Sequence, residues 1–167
     1  MSLNIKNVNK LGKLLQKYEA TIAVAESVTS GNLQAAFSLA TNATLFFQGG
    51  ITTYNIGQKC RHLLIEPIHA VACNCVSQKV SEQMASEVCN LFKSEYGVGI
   101  TGYASPVPEQ NVKQLYAWVA IAKNCKIVKS IKIVAAGKSP VEVQMYFTNR
   151  TIEILTQFLD KNGSKKD

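Results

Sequence analysis

A short apolar segment that ends in a serine-containing turn places the strongest constraint on how this chain can fold. Residues 21–25 are typical of a buried β-strand, and residues 30–40 favour a helix. The turn between them contains Ser27. A strand that passes through a turn of small residues into a helix leaves unpaired backbone N–H groups beside that turn. We therefore expect the Ser27 hydroxyl to lie next to a position that can hold an anion or an oxyanion.

The rest of the chain alternates between helical and strand-like patterns. Strands are predicted over 21–25, 46–54, 96–101, 115–122 and 126–135, and helices over 5–18, 30–40, 56–64, 77–92 and from the N-cap Ser139 onward. We expect a hairpin turn at Lys123-Asn124, and we expect the helix over 77–92 to bury Leu91. Strands separated by helices tend to pair in parallel, whereas strands joined by a hairpin pair antiparallel. The pattern therefore predicts an α/β fold, a three-layer α/β/α sandwich with a mixed sheet.

Length and charge narrow the class of protein. The chain has 167 residues, which fits one domain over 1–160 followed by a polar tail over 161–167. Its net charge is +7, but the basic residues are scattered and only Arg61 and Arg150 are arginines, so we expect no nucleic-acid partner. No apolar run approaches the roughly 18 residues of a membrane span, so we expect no membrane partner. Five cysteines without a regular spacing favour a reducing, cytoplasmic location.

The sequence gives no sign of a metal or an organic cofactor. The two histidines are His62, expected on the exposed side of a short helix, and His69, expected in a loop. Cys73-x-Cys75 has the wrong spacing for a zinc site, and no G-x-G-x-x-G follows a strand. We therefore predict a site without metal or cofactor.

Three strands end in small or hydroxylic residues, at Glu26-Ser27, at Thr53-Tyr54 and at Thr101-Gly102. Because ligands of α/β sheets bind beyond the carboxyl ends of strands, these ends can form one polar cleft. Lys59 follows the second end and could act as the base for Ser27 if burial lowers its pKa towards neutrality. The alternative is that Ser27 and Thr29 only cap a helix and that Lys59 is a surface lysine. Spacing alone leaves both interpretations open.

Four short motifs occur in one order along the chain. They are Ala25-Glu26-Ser27-Val28-Thr29-Ser30-Gly31, Gly49-Gly50-Ile51-Thr52-Thr53-Tyr54-Asn55-Ile56-Gly57-Gln58-Lys59, Asn74-Cys75-Val76-Ser77 and Thr101-Gly102-Tyr103-Ala104-Ser105-Pro106. They resemble, in order, the A-E-S-C-T-G-G, G-G-V-V-T-Y-S-N-E-A-K, G-A-V-S and T-G-I-A-G-P patterns of the CinA C-terminal domain family of competence/damage-inducible proteins. The likeness runs from about residue 6 to residue 160.

The resemblance implies an amidohydrolase, because standalone members of the family include nicotinamide mononucleotide deamidases. By this analogy Ser27 attacks the carboxamide, Lys59 is the base and Tyr54 positions the pair, with nicotinate mononucleotide and ammonia as products. The residues predicted to bind substrate are Glu26, Thr29, Ser30, Gly31, Gly50, Thr101, Gly102 and Lys138. Glu26 could equally orient Ser27 or lie at the positive end of the helix dipole. Backbone N–H groups at 29–31 or 101–102 would hold the oxyanion. The resemblance also implies a nucleotide substrate, no cofactor and a homodimer or larger homo-oligomer.

The chain departs from the family pattern on the nucleotide side. The family's D-G-G loop after Pro106 is replaced by the shorter 107–111. The family's G-D-R and the arginine after it align with Gly137-Lys138-Ser139 and with 141–144, which contain no arginine. A lysine supplies a point charge but not the bidentate contact of an arginine. The sequence therefore leaves three alternatives: a mononucleotide deamidase, an amidase for a less phosphorylated substrate, or a nucleotide-binding module that has lost catalysis.

Overall fold

A computed structural model of the chain describes residues 2–135, 137 and 139–163. Within these residues, five strands form one sheet in the order β2-β1-β3-β4-β5. The strands are β1 Ile22–Glu26, β2 Phe47–Thr52, β3 Tyr96–Gly102, β4 Leu115–Lys123 and β5 Lys126–Ala135. β1 pairs in parallel with β2 and β3, whereas β3–β4 and β4–β5 are antiparallel. The predicted mixed sheet is confirmed.

Helices cover both faces of the sheet. They are α1 Ile5–Lys17, α2 Asn32–Ser38, α3 Ile56–Leu63, α4 Pro67–Ala72, α5 Gln78–Phe92 and α6 Pro140–Asn162. α1, α2 and α6 pack on one face through a core that includes Leu11, Leu33 and Phe147. The other face is covered by α3, α4 and α5, through a core that includes Leu63, Ala70 and Met84. This arrangement is the expected three-layer α/β/α sandwich.

Three local expectations are wrong. Pro67 opens a helix that was not among the expected elements, α4, and Glu66 caps it by accepting the N–H groups of Ile68 and His69, each at 2.8 Å. His69 therefore lies in a helix and not in a loop. The hairpin turn is one residue later than expected, at Asn124 and Cys125, where φ is 49° and 61°. Leu91 of α5 is half exposed because it lies off the buried stripe that Met84 and Val88 define.

Two glycines of β3 set the distance between this strand and α5. A Cβ atom at Gly97 would lie 2.1 Å from the Ala85 carbonyl oxygen, and one at Gly99 would lie 2.2 Å from the Ser81 carbonyl oxygen. Only glycine permits this approach of helix backbone to strand backbone. Since β3 ends in Thr101 and Gly102, the same contact fixes the position of that strand end relative to α5.

We predict that Gly99→Ala lowers the free energy of unfolding by about 3 kcal/mol, because either strand or helix must shift to admit the methyl group. Urea denaturation measures this change. Gly57→Ala is the matched control, because Gly57 is exposed and the nearest atom to its Cβ position lies 3.4 Å away. The control should stay within about 0.5 kcal/mol of the wild type or be slightly more stable. Equal effects of the two substitutions would contradict this account of β3.

Candidate active site

The ends of three neighbouring strands meet at one cavity of about 550 Å³. Ser27 follows β1, Thr53 and Tyr54 follow β2, and Thr101 lies at the end of β3. The polar side chains or backbones around the cavity belong to Ser27, Tyr54, Asn55, Lys59, Asn74, Cys75, Thr101, Gly102, Tyr103, Ser105 and Gln144. The expected convergence of the strand ends is therefore present.

Ser27 and Lys59 are in direct contact. The Lys59 Nζ atom lies 2.9 Å from Ser27 Oγ, and it donates to the carbonyl oxygens of Thr53 at 2.7 Å and Tyr54 at 3.3 Å. Ser27 is 8% exposed and Lys59 only 1%. Lys59 is therefore not a surface lysine, and the interpretation that required one is excluded.

The local sequence explains how Lys59 reaches the serine. Asn55 caps α3 by accepting the Gln58 N–H at 3.0 Å, so the helix starts directly after β2. One turn later, the Lys59 side chain lies back over the first turn of α3, towards the end of β2. Thr53 and Tyr54, the residues between strand and helix, supply the carbonyl groups that receive it.

The protonation of Lys59 is controlled by its surroundings. Burial lowers the pKa of the Lys59 ammonium, and the nearby thiols of Cys75 and Cys60 raise it by a smaller amount. Among the described residues, no carboxylate lies within ion-pair distance of Nζ. A neutral amine has two N–H bonds for the carbonyls of Thr53 and Tyr54, and its lone pair then remains for the Ser27 hydroxyl proton. The site can therefore hold an amine that acts as a base.

Glu26, expected to contact substrate, has a different role. Its carboxylate is fully buried and accepts four hydrogen bonds, from Thr29 Oγ1 and from the N–H groups of Gly31, Leu33 and Gln34, at 2.6–3.1 Å. It thereby caps the first turn of α2. Strand alternation turns Glu26 towards α2 and Ser27 towards the opposite layer.

The other residues expected in substrate binding divide into two groups. Thr29, Ser30, Gly31 and Gly50 do not line the cavity, and the N–H groups of Ser30 and Gly31 are already bonded to Ser27 O and Glu26. An oxyanion hole at 29–31 that uses these two donors is therefore excluded. Thr101 and Gly102 do line the cavity. Lys138 lies outside the described residues.

Tyr54 contacts the pair through its main chain. Its carbonyl oxygen accepts from Lys59 Nζ, while its side chain is 73% exposed where the cavity opens to solvent. Over residues 2–135, 137 and 139–163, no three side chains of the His, Cys, Asp or Glu type converge as metal ligands. In the same part of the chain, no helix has both the length and the hydrophobicity for a membrane crossing.

Sequence reasoning missed one wall of the cavity. Asn74 and Cys75 connect α4 to α5 and both have positive φ, 49° and 60°. Asn74 Nδ2 donates to the Tyr103 hydroxyl at 3.3 Å, and Thr101 Oγ1 donates to the Cys75 carbonyl at 2.8 Å. The available signal was the Asn74–Ser77 motif, which indicated only a helix start.

Comparison with known proteins identifies the family. The profile of the CinA C-terminal domain matches residues 4–159. The chain belongs to the CinA C-terminal domain family. Two putative competence-damage inducible proteins are 32% identical to it: that of Streptococcus equi subsp. zooepidemicus strain H70 over 150 residues and that of Streptococcus thermophilus strain LMD-9 over 146. The matches cover 90% and 87% of this chain but 35% and 34% of the relatives, so the chain spans about a third of their length.

Solved structures share the fold of this CinA domain. The competence damage-inducible protein A of Klebsiella pneumoniae subsp. pneumoniae MGH 78578 superposes with a TM-score of 0.90 at 20% identity, covering 96% of this chain and 99% of that one. The competence/damage inducible protein CihA of Agrobacterium tumefaciens gives a TM-score of 0.79 at 18% identity, covering 96% and 100%. At these identities the likeness concerns the fold alone.

We predict that Glu26→Gln lowers the free energy of unfolding by about 2 kcal/mol, because the new amide group opposes at least one buried N–H donor. Asp160→Asn is the matched control: Asp160 pairs with Lys10 across 3.7 Å with both side chains 57% exposed, so a change below about 0.5 kcal/mol is expected. Chemical denaturation of both variants makes the comparison. A neutral Glu26→Gln result would show that the cap contributes nothing.

A second prediction concerns pH. Because the pKa of Lys59 is lowered in the folded protein, the unfolded chain binds more protons between that pKa and the ordinary lysine value. Lys59 therefore makes stability rise with pH across this window, by at most about 1.4 kcal/mol per pH unit. The difference in unfolding free energy between the wild type and Lys59→Met should therefore increase as the pH rises through this window towards the ordinary lysine pKa.

The matched control for this experiment is Lys13→Met, at an exposed position of α1. Its stability should follow that of the wild type across the same pH range, because the Lys13 side chain is hydrated in both states. A difference between the wild type and Lys59→Met that stays flat up to the ordinary lysine pKa would contradict a lowered pKa of Lys59.

Proposed function

We propose that this CinA domain is an amidohydrolase in which Ser27 is the nucleophile and Lys59 the general base. The observation that carries the proposal is the 2.9 Å contact between Ser27 Oγ and a buried lysine amine that has no carboxylate partner among the described residues. A serine hydroxyl is a weak nucleophile until a neighbouring base removes its proton. A lysine performs this task near neutral pH only when burial favours its neutral form.

The first half of the reaction forms an acyl-enzyme. Ser27 Oγ attacks the carboxamide carbon while its proton passes to Lys59 Nζ, and the carbonyl π electrons move onto oxygen. When the tetrahedral intermediate collapses, the C–N bond breaks and Lys59 returns the proton to the leaving nitrogen, so that ammonia departs. In the second half, Lys59 takes a proton from water, the hydroxide attacks the ester, and Ser27 leaves with that proton. One carboxamide and one water thus give one carboxylic acid and one ammonia.

The Val28 N–H is our candidate for the oxyanion donor. Val28 follows the nucleophile directly and lines the cavity, and its N–H has no hydrogen-bond partner among the described residues. A donor of this kind contributes about 3–4 kcal/mol to an acyl-transfer transition state. This assignment takes the place of the Ser30 and Gly31 donors within the expected range 29–31, and the alternative donors at 101–102 stay a prediction.

Nicotinamide mononucleotide is the substrate that the family resemblance suggests, with nicotinate mononucleotide as the product. The nucleophile motif and the Tyr54-to-Lys59 spacing support this choice. The loss of the arginine pattern at 137–144 argues for testing phosphate-free carboxamides beside it.

We predict that purified protein releases ammonia from nicotinamide mononucleotide or a related carboxamide, and that Ser27→Ala lowers kcat by at least about a thousandfold. Lys59→Met should cause a comparable loss, because the pair acts as one unit. Ser105→Ala is the matched control, since Ser105 lines the same cavity without a contact to Lys59, and it should keep most of the activity.

A serine-directed fluorophosphonate probe provides a measurement that does not depend on the substrate. Intact-mass analysis should show one adduct on the wild type, one on Ser105→Ala and none on Ser27→Ala. No adduct and no ammonia from any carboxamide would contradict the amidohydrolase. A nucleotide that then still raises the melting temperature would favour the non-catalytic binding module.

A further inference from the structure

We propose that Asn74 and Tyr103 form a specificity pair that binds an uncharged hydroxyl of the substrate, so that substrate is selected through its sugar and not through a phosphate. This inference rests on the proposed function and narrows its substrate class to aromatic carboxamides that carry a neutral polyhydroxy substituent. Both residues line the cavity that contains Ser27 and Lys59.

The first argument is that the pair is held in place. Tyr103 is 8% exposed, and its ring packs edge-on against Tyr116 with centroids 5.5 Å apart. Lys132 Nζ lies 4.0 Å from the centre of the Tyr116 ring, a cation–π contact that fixes this second tyrosine. The Tyr103 hydroxyl is thus positioned by packing before it receives the Asn74 amide at 3.3 Å.

The second argument concerns Asn74. Its φ of 49° is a conformation that asparagine tolerates better than most residues, and Cys75 continues it at 60°. The Cys75 carbonyl is fixed by Thr101 Oγ1 at 2.8 Å. The backbone that carries Asn74 is therefore bonded to the end of β3, which also carries Tyr103. Backbone conformations of this kind persist where the surrounding structure determines them, and they cluster at ligand sites.

The third argument is the hydrogen-bonding capacity that remains. In the described contacts, Asn74 Nδ2 uses one of its two hydrogens on Tyr103, its Oδ1 atom accepts nothing, and the Tyr103 hydroxyl still has its own proton to donate. A sugar hydroxyl both donates and accepts, so it matches this set. Gln144 adds another neutral amide to the cavity, and among the described lining residues Lys59 is the sole cationic side chain. Its Nζ atom is already bonded to Ser27, Thr53 and Tyr54.

The sequence adds a fourth observation. Asn74 stands where the resembled G-A-V-S pattern has glycine, and Tyr103 stands where the T-G-I-A-G-P pattern has isoleucine. The two departures contact each other across the cavity. Together they replace apolar or absent side chains by an amide and a phenol, in a chain that also lacks the arginines of the resembled pattern.

The test is calorimetric binding to Ser27→Ala protein, in which turnover is blocked. Nicotinamide riboside and nicotinamide mononucleotide differ only by the phosphate, and we expect their Kd values to agree within about threefold. Adding Asn74→Ala or Tyr103→Phe should raise the Kd of the riboside and of the mononucleotide by roughly three- to tenfold, the range for one hydrogen bond. The Kd of nicotinamide, which has no sugar, should not change. Asn90→Ala on α5 and Tyr18→Phe beside α1 are the matched controls and should change nothing.

Three results would overturn the inference: mononucleotide binding more than about tenfold tighter than riboside binding, an equal loss for nicotinamide in the Asn74 and Tyr103 variants, or no riboside binding at millimolar concentration. If the mononucleotide does bind more tightly than the riboside, the same measurement is repeated with Lys138→Ala added. Loss of the preference in that variant would show that Lys138 binds the phosphate. The proposed function fails separately, through the absence of ammonia and of a Ser27 adduct, even if the riboside binds as expected.

Discussion

The burial of one lysine amine, with no opposite charge beside it in the part of the chain that the structure describes, is the constraint on which the rest of this site depends. Transfer of an ammonium group out of water is so unfavourable that buried lysines shift towards the neutral form. Here the Lys59 amine is enclosed by the carbonyls of Thr53 and Tyr54 and by the Ser27 hydroxyl, and a neutral amine can satisfy all three. A carboxylate beside Nζ would stabilise the charged form of the amine. For the proposed role of Lys59 as a base, the composition of this pocket is thus as important as the distance between Ser27 Oγ and Lys59 Nζ.

The carboxylate of Glu26, the residue before Ser27, illustrates this requirement. Glu26 and Ser27 are neighbours in sequence, yet strand alternation directs their side chains to opposite faces of the sheet. On its own face, Glu26 receives four donors at the start of α2 and is fully buried there. The four hydrogen bonds and the helix dipole therefore stabilise this buried carboxylate. A single dipeptide can supply both a structural cap and a serine that contacts Lys59 because the pleat of the strand separates the two side chains.

The sequence predicted the elements well wherever periodicity and capping agreed. The strand before Ser27, the Ser77 and Ser139 N-caps and the mixed sheet are all present. Spacing could also propose Ser27 with Lys59, but it could not decide whether Lys59 was buried, because burial arises from contacts of α3 with residues distant in sequence, such as Ser27 and α5. Glu26 was misassigned for a related reason: a carboxylate before a helix has the same sequence signature whether it faces a ligand or the first turn of that helix. α4 was missed because a proline in the sequence can mark either the end of one helix or the first turn of the next.

The geometry of the cavity wall follows from the packing of the core. Gly97 and Gly99 allow the backbone of α5 to approach β3, and this contact sets where α5 begins, at the Ser77 cap. Asn74 and Cys75 immediately precede that cap, so their position relative to the end of β3 is fixed by the same contact. Thr101 then completes the connection through its bond to the Cys75 carbonyl. A change in this glycine packing would therefore move the wall that contains Asn74, and this explains why that wall could not be predicted from a local motif. The position of Ser27 depends on one strand end, whereas the position of Asn74 depends on how α5 lies on the sheet.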